Sequence, residues 1–256
     1  MKVSPCQYFY GPFDSWRIGR SLGVDPLSDS VKICNLDCIY CQLGHTHHLT
    51  NERAVYVSTE RIRTELSMLP AMLDIDYITF SGRGEPTLAA NLGDMIRAVK
   101  DYTSYETAVI TNGTLLYQHD VRRDVGMADL VIAKLDAFDE RSFRMIDQAL
   151  DGISFEQTLT GLRNFQSAYW GTLAIQVMFV AENLHCAEAI ARLVRDIGPD
   201  EVQINTPLRP SVATPLSPEG IARVKELFHG MPAVTVYDRP RKEDVNCEPQ
   251  HTVPEC

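Results

Sequence analysis

Three cysteines stand close together near the start of the chain, in the run Cys34-Asn-Leu-Asp-Cys38-Ile-Tyr-Cys41, which is followed by glutamine, leucine and glycine. Three thiols in one short loop cannot all pair as disulfides, and soft sulfur ligands at this density indicate zinc or an iron–sulfur cluster. A four-iron cluster held by three cysteines keeps one iron without a protein ligand. An open coordination position of this kind is what catalysis needs.

Zinc is the alternative for the same three thiols. A structural zinc site takes four protein ligands, and these usually come as two separated C-x2-C pairs. The sequence has one cysteine trio and no second pair nearby. A zinc site would therefore need a fourth ligand from the histidines that follow, which are His45, His47 and His48.

Length and composition limit the fold and the partners. The chain has 256 residues, of which 45% are hydrophobic, and this suits one large α/β domain. No apolar run reaches the roughly 18–20 residues of a membrane span, and the N-terminus lacks the apolar stretch of a signal peptide. The net charge is −10, so the chain lacks the excess of basic residues that a dedicated nucleic-acid binder usually shows. With three of seven cysteines in a metal-type motif, the cytoplasm is the expected compartment.

A unit made of a short β-branched run, a loop and an amphipathic segment recurs along the chain. This alternation predicts β/α units around a parallel sheet. Residues 1–30 contain many turn-forming residues and are expected to form an irregular strap, and residues 237–256 a tail. An edge strand is expected at 234–236. The six predicted strands of the sheet lie at 31–33, 76–80, 107–110, 129–136, 173–180 and 201–207.

Two predicted strands end in segments that favour ligand binding. The strand at 76–80 is followed by Gly82-Arg83-Gly84-Glu85, whose glycines expose backbone groups at the carboxyl end, where α/β sheets bind ligands. The strand at 107–110 is followed by Thr111-Asn112-Gly113. For this second segment a simple turn is the alternative, because asparagine and glycine both tolerate a positive φ.

Polar side chains also interrupt three later strands. Lys134 lies in an otherwise apolar strand and must find a partner or a wet cavity. Asp136 shares its face, because side chains alternate along a strand, and an internal salt bridge is the alternative to a binding role. Gln176, at mid-strand, is a candidate for contact with a bound ligand. Asn205 shares a face with Gln203 in the sixth strand and is a further candidate.

Taken together, these motifs resemble the radical S-adenosylmethionine (SAM) superfamily over residues 8–230. The cysteine trio with an aromatic residue before its last cysteine resembles the cluster signature of that superfamily. Within it, the chain is similar to the wyosine-tRNA-synthetase-like group, which shares the stretches at 11–25, 34–44 and 203–210. The resemblance implies a partial (β/α)6 barrel at 31–236 within one radical SAM domain, with its chemistry at the carboxyl ends of the strands.

The same resemblance implies that Cys34, Cys38 and Cys41 hold a [4Fe–4S] cluster whose open iron binds SAM. An external reductant of the flavodoxin or ferredoxin type would supply one electron. SAM would then split into methionine and a 5′-deoxyadenosyl radical that abstracts hydrogen from a substrate. The residues expected to contact SAM or the substrate are Gly82, Arg83, Gly84, Glu85, Thr111, Asn112, Lys134, Asp136, Gln176 and Asn205.

The motifs do not define the substrate, which is expected to be a small molecule or a modified nucleoside. One alternative is an activase that abstracts hydrogen from a glycine of a protein or peptide. Another is a tRNA-modifying enzyme of the wyosine type, which the acidic net charge does not favour. An alternative of another class is a non-catalytic cluster-binding regulatory protein, which would form no 5′-deoxyadenosine.

Four cysteines lie outside the trio. Cys247 and Cys256, together with Cys6, are candidates for an auxiliary cluster, although their spacing is a poor ligand pattern. The alternative is that they are free thiols. Cys186 lies in a predicted helix and is expected to be a small core residue.

Overall fold

The structure is a computed structural model, and it describes residues 6–27, 31–70 and 72–238. Strands and helices alternate along most of this length. The strands are β1 Phe9–Ser15, β2 Gly19–Val24, β3 Ile33–Cys34, β4 His48–Leu49, β5 Tyr77–Phe80, β6 Glu106–Thr111, β7 Leu130–Lys134, β8 Thr172–Met178, β9 Glu201–Asn205 and β10 Ala233–Thr235. The helices are α1 Thr59–Leu66, α2 Leu92–Tyr102, α3 His119–Val125, α4 Glu140–Ile146, α5 Phe155–Gln166, α6 Ala187–Ile197 and α7 Pro218–Glu226.

One eight-stranded sheet organises the molecule, in the order β1-β2-β5-β6-β7-β8-β9-β10. All neighbours from β2 to β10 are parallel, and β1 alone is antiparallel, paired with β2. The sheet curls into a partial barrel with helices on its outer face, which confirms the predicted fold class. The carboxyl ends of the parallel strands therefore meet at one end of the barrel.

The first strand of the sheet differs from the prediction. Residues 9–24, expected to form part of an irregular strap, are the hairpin β1–β2, and β2 is the first parallel strand because it pairs with β5. The segment predicted as the first strand, 31–33, contributes only to the two-residue pair of β3 with β4. The glycines of the hairpin suggested turns, but Gly23 is required for packing. A Cβ on it would lie 2.2 Å from the Tyr10 ring.

The turn of this hairpin fills the inside of the barrel at the amino ends of the strands. Trp16 and Ile18 are both buried, and Ile18 packs against apolar side chains that point inward from β6, β7 and β8. Those side chains are Ala108, Leu130, Ile132 and Ala174. The larger core lies on the other face of the sheet, between strands and helices. Apolar side chains therefore occupy part of the barrel floor, at the end opposite to the carboxyl ends of the strands.

Helix starts follow local sequence signals. Ser217 caps α7 and is followed by Pro218 at the first helical position, where its missing N–H has no cost. Ser58 caps α1, and Asp139 forms a capping box with Ser142 at the start of α4. Each cap contributes about 1 kcal/mol to stability. In the described ranges, no helix is both long and apolar enough to cross a bilayer.

Candidate functional site

The glycine-rich loop after β5 lies directly against the segment that leads to the first cysteine. The N–H of Ile33 donates to the carbonyl of Arg83 at 2.9 Å, and the N–H of Glu85 donates to the carbonyl of Ile33 at 3.0 Å. A Cβ on Gly84 would lie 1.6 Å from the Ile33 carbonyl oxygen, so only glycine fits there. Backbone contact therefore joins two motifs that are separated by about 50 residues in the sequence.

Asp25, at the carboxyl end of β2, holds the other side of the same loop. Its Oδ2 accepts a hydrogen bond from the N–H of Arg83 at 3.1 Å, and its Oδ1 accepts one from the N–H of Leu27 at 3.1 Å. A Cβ on Gly82 would lie 2.4 Å from the Asp25 carboxyl carbon. Sequence reasoning did not select Asp25 as a site residue, although it ends the stretch at 11–25 on which the family resemblance partly rested.

Glu85 is buried and joins its own loop to the end of β6. Its Oε1 accepts hydrogen bonds from the N–H and hydroxyl of Thr87 and from the hydroxyl of Thr111, and its Oε2 accepts one from the N–H of Asn112. Burial raises the pKa of Glu85, while these hydrogen bonds oppose the rise. The expected contact of Glu85 with SAM or the substrate remains a prediction, and the carboxylate also has a structural role.

The Thr-Asn-Gly segment is more than a turn, because it contacts the cysteine loop. The Asn112 side-chain amide lies 3.8 Å from Cys34 Sγ and donates to Asn35 Oδ1 at 2.7 Å. Asn35 in turn donates to Thr114 Oγ1 at 2.8 Å and is fully buried. The structure thus brings together the cysteine loop, the glycine-rich loop and this segment. Asn35 was missed because nothing in its sequence surroundings distinguishes it from a loop asparagine.

Lys134 and Asp136 form the internal salt bridge that was the alternative in the sequence. Lys134 Nζ lies 3.2 Å from Asp136 Oδ2 and 2.5 Å from Asp147 Oδ1. Asp136 also accepts hydrogen bonds from the Tyr40 hydroxyl and from the N–H of Met178. Burial would lower the pKa of Lys134, but the charges of Asp147, Cys38 and Asp136 raise it well above its usual value.

Asp147 is the residue that sequence reasoning missed in this cluster. It is 1% exposed, and burial raises its pKa to about 6, although Lys134 opposes the rise. Its carbonyl oxygen accepts a hydrogen bond of 3.1 Å from the N–H of Asp37, which lies between the first two cysteines. The segment that carries Asp147 therefore supports the cysteine loop directly.

Gln176 and Asn205 are not brought to the cysteine loop by any hydrogen bond within the described residues. Gln176 lies deeper in the barrel, in register with Lys134 and Gln203, and it accepts a hydrogen bond from Arg17 Nε in the hairpin turn. Asn205 is in register with Met178, and its Oδ1 accepts from the N–H of Thr206 at 2.9 Å. Contact of either side chain with SAM or substrate remains a prediction.

The three histidines that could supply a fourth zinc ligand either pair with a carboxylate or are exposed to solvent. His45 Nδ1 lies 2.5 Å from Asp37 Oδ2, and its side chain is 77% exposed. His47 and His48 are both exposed. Lys32 lies 3.6 Å from Asp37 Oδ1, which also accepts a hydrogen bond from the N–H of Thr46. These contacts stabilise the cysteine loop through Asp37 rather than supplying a fourth metal ligand.

Residues 30–194 match the family described as the Radical SAM superfamily. This match covers more than half of the chain. The chain belongs to the Radical SAM superfamily. It is therefore a radical SAM enzyme, as its motifs predicted.

Known relatives agree with this placement. A UPF0026 protein of Synechocystis sp. is 41% identical over 202 residues, which are 78% of this chain and 76% of that protein. The structure described as TYW1 with a lysine-pyruvate adduct bound superposes with a TM-score of 0.65 at 19% identity, and covers 84% of this chain and 76% of that one. Streptococcus suis SuiB bound to S-adenosylmethionine superposes with a TM-score of 0.60 at 12% identity, over 80% of this chain and 48% of that one. At these identities the two structures establish the fold alone.

The donor set of this radical SAM enzyme fits an iron–sulfur cluster. Cys34, Cys38 and Cys41 are free thiols in one loop, in which the N–H of Cys41 donates to the carbonyl of Cys38 at 3.0 Å. Burial raises the pKa of Cys34 to about 11 and that of Cys38 well above its usual value. No three His, Cys, Asp or Glu side chains in the described ranges converge on a single metal ion. A cluster distributes its thiolates over several irons, so that result is compatible with one.

Proposed function

We propose that Cys34, Cys38 and Cys41 hold a [4Fe–4S] cluster and that the enzyme cleaves SAM and abstracts hydrogen from a small molecule or a modified nucleoside. When bound, the cluster supplies the electron that splits SAM into methionine and a 5′-deoxyadenosyl radical. The observation that carries the proposal is the contact of Asn112 with Cys34 Sγ at 3.8 Å. It places the Thr-Asn-Gly segment, and Glu85 with it, beside the cysteine loop.

We assign SAM binding to the segments around that contact. The backbone of Gly82, Arg83 and Gly84 lies at the strand end with Glu85, and Thr111 and Asn112 adjoin it. Backbone groups held by Asp25 and Ile33 are fixed before any ligand arrives, so little ordering cost remains at binding. Lys134 and Asp136 act through their salt bridge and support the cysteine loop.

An apolar cluster next to the cysteines would help to exclude water. Tyr40, Ile146, Val180 and Ala213 are buried together, and Cys38 packs against them. Ala213 comes from the loop after β9, which crosses toward the cysteine loop and is anchored by a hydrogen bond from the N–H of Ala181 to the carbonyl of Thr214. Excluding water protects a reactive radical from side reactions.

The pairing of Lys134 with two carboxylates does not favour adduct chemistry at this residue. The TYW1 structure contains a lysine–pyruvate adduct. A lysine must lose its proton before it can attack a carbonyl group, yet Lys134 is held protonated by two buried carboxylates. Adduct chemistry at Lys134 is therefore not part of the proposal. With a net charge of −10, we also do not favour tRNA as the substrate over a small molecule.

A flavodoxin or ferredoxin is the proposed reductant, and the cytoplasm the proposed compartment. Both proposals follow from chemistry, because a cluster that must be reduced needs a low-potential electron donor and reduced thiols. We further propose that residues 1–256 form a single domain. An auxiliary cluster would involve Cys247 and Cys256, which lie outside the described residues. Cys6 is described, and it is buried.

The test is anaerobic reconstitution with iron and sulfide, followed by addition of dithionite and SAM and an assay for 5′-deoxyadenosine. We expect the native protein to form it and Cys38→Ala to form none. Cys186→Ala is the matched control, because Cys186 is also buried but adjoins α6. Cleavage by Cys38→Ala, or zinc in place of iron in anaerobically purified protein, would contradict the proposal. An iron-loaded native protein that forms no 5′-deoxyadenosine would favour the regulatory alternative.

A further inference from the structure

We propose that Asp147 is a positioning residue of the cluster site, where its charge keeps the reduction potential of the cluster low. This inference rests on the proposed function. Asp147 belongs to none of the sequence motifs, yet its carboxylate lies 2.5 Å from Lys134 Nζ, and the preceding residue, Ile146, belongs to the apolar cluster against which Cys38 packs. Its backbone carbonyl also accepts the hydrogen bond from Asp37 in the cysteine loop.

The charges around Cys38 do not cancel. Lys134 is the one cation that pairs with Asp136 and Asp147 in the described structure, at 3.2 and 2.5 Å. The side chains of the two carboxylates are 0% and 1% exposed, and that of Lys134 is 13% exposed. Two carboxylates and one ammonium leave a net charge of −1 in a region with little water to screen it.

This surplus negative charge repels an electron that is added to a nearby cluster. The potential of an iron–sulfur cluster depends on its net charge and on the charges and hydrogen bonds around its sulfurs. A fixed negative charge next to Cys38 disfavours the reduced form. Removing that charge without changing the shape of the side chain should therefore make reduction easier.

A series of variants separates charge from shape. Asp147→Asn changes the net charge of the three groups from −1 to 0, and Lys134→Gln with Asp147→Asn restores −1. Asp129→Asn is the matched control, because Asp129 pairs with Lys100 at 2.6 Å just before β7, and Lys134 ends that strand. The measurement is a redox titration of each reconstituted protein without SAM, followed by the electron paramagnetic resonance signal of the reduced cluster, with iron content measured in parallel.

We expect Asp147→Asn to raise the ratio of reduced to oxidised cluster at a fixed solution potential about tenfold, which is a shift of about 59 mV for a one-electron couple. The double variant should return to the native value, and Asp129→Asn should not depart from it. An unchanged potential in Asp147→Asn, or a double variant that stays raised, would overturn the inference.

Cluster uptake gives a second readout. Loss of iron from Asp147→Asn with retention in the double variant supports a charge relationship between Asp147 and Lys134. Loss from both variants overturns the inference, because the role of Asp147 would then be structural. If the native protein itself binds no iron, the proposed function fails, and this result is distinct from every other outcome.

Discussion

Thr111 and Glu85 are joined by a hydrogen bond of 2.6 Å from the threonine hydroxyl to Oε1 of the carboxylate. Thr111 ends β6, and Glu85 lies in the loop after the neighbouring parallel strand β5, so the bond connects the two segments that adjoin the cysteine loop. The same carboxylate accepts three further hydrogen bonds, from Thr87 and Asn112. Every one of these partners is a hydrogen-bond donor, so both oxygens of the side chain at position 85 must be acceptors.

Glu85→Gln should destabilise the protein by about 2–3 kcal/mol, because the amide NH2 would face donors and leave buried groups unsatisfied. Urea unfolding of the native protein and the variant measures the difference. The control is Glu182→Gln, because within the described residues Glu182 accepts only from the N–H of Thr214 at the surface, a bond that an amide oxygen can also accept. Equal losses in the two variants would contradict the role assigned to Glu85.

Gly84→Ala should be among the most harmful single substitutions in the chain. The new Cβ would lie 1.6 Å from the Ile33 carbonyl oxygen, so the glycine-rich loop and the cysteine loop would have to separate. We expect a loss of more than about 3 kcal/mol in urea unfolding and a loss of iron uptake on reconstitution.

Gly152→Ala is the control for Gly84→Ala. Gly152 also has a positive φ, of 89°, but no atom of the described part of the chain lies within 4 Å of its Cβ position. Gly152→Ala should therefore destabilise the protein by only about 1–2 kcal/mol, which is the cost of a positive φ for a residue with a Cβ. Iron uptake should stay intact. A Gly84→Ala variant as stable as Gly152→Ala would show that the two loops are not in contact.

The sequence was sufficient to predict the five central strands and the motifs at their ends. The segments predicted at 76–80, 107–110 and 173–180 overlap β5, β6 and β8, with ends that differ by at most two residues. Parallel strands covered on both faces appear in a sequence as short runs of Val, Ile and Leu. This pattern can be recognised without knowing which strands are neighbours. The cysteine trio can also be recognised from local sequence, because the spacing of the three cysteines alone indicates a metal cluster.

What the sequence did not predict depends on contacts between distant residues. The hairpin β1–β2 contains glycines that favour turns, and only the Tyr10 ring above Gly23 explains why a strand requires one. Asp147 follows α4 as an ordinary loop residue. Its burial depends on Lys134 and on the cysteine loop more than 100 residues before it, and neither is visible in local sequence.

Arg83→Ala should retain 5′-deoxyadenosine formation within about twofold, and Asp25→Ala should lower it about tenfold or more. The N–H of Arg83 donates to Asp25 and its carbonyl accepts from Ile33, and these two backbone hydrogen bonds remain when the side chain is removed. Asp25→Ala removes the acceptor for both Arg83 and Leu27, at a cost of about 1–3 kcal/mol. The assay is single-turnover SAM cleavage with dithionite. A larger loss of 5′-deoxyadenosine formation in Arg83→Ala than in Asp25→Ala would mean that the Arg83 side chain itself contributes to SAM cleavage.

Asp139→Ala should cost about 1 kcal/mol at pH 7, and the cost should disappear in acid. Hydrogen bonds from the hydroxyl and N–H of Ser142, at 2.6 and 2.7 Å, lower the pKa of Asp139 in the folded protein. A lowered pKa contributes stability that is fully present above the ordinary aspartate pKa of about 4 and is lost as pH falls below it. Urea unfolding at several pH values from 7 to 3 measures the difference.

Ser154→Ala is the matched control for Asp139, because Ser154 caps α5 with a hydroxyl group that does not titrate. Its cost should be similar at pH 7 and should stay constant as the pH falls. A constant cost for Asp139→Ala as well would mean that the charge of Asp139 contributes nothing to the cap.

Gln176 and Gln203 are in register on neighbouring strands, yet their replacement by methionine should have different effects. Gln176→Met removes the acceptor of Arg17 Nε and should cost about 1–3 kcal/mol. Gln203 Oε1 is buried without a hydrogen-bond partner among the described residues, and the side-chain amide of Gln203 donates there only to Glu201, the first residue of β9. Gln203→Met should therefore be close to neutral in urea unfolding. If it instead costs as much as Gln176→Met, a bound molecule satisfies that oxygen in solution, and the barrel floor holds a polar ligand.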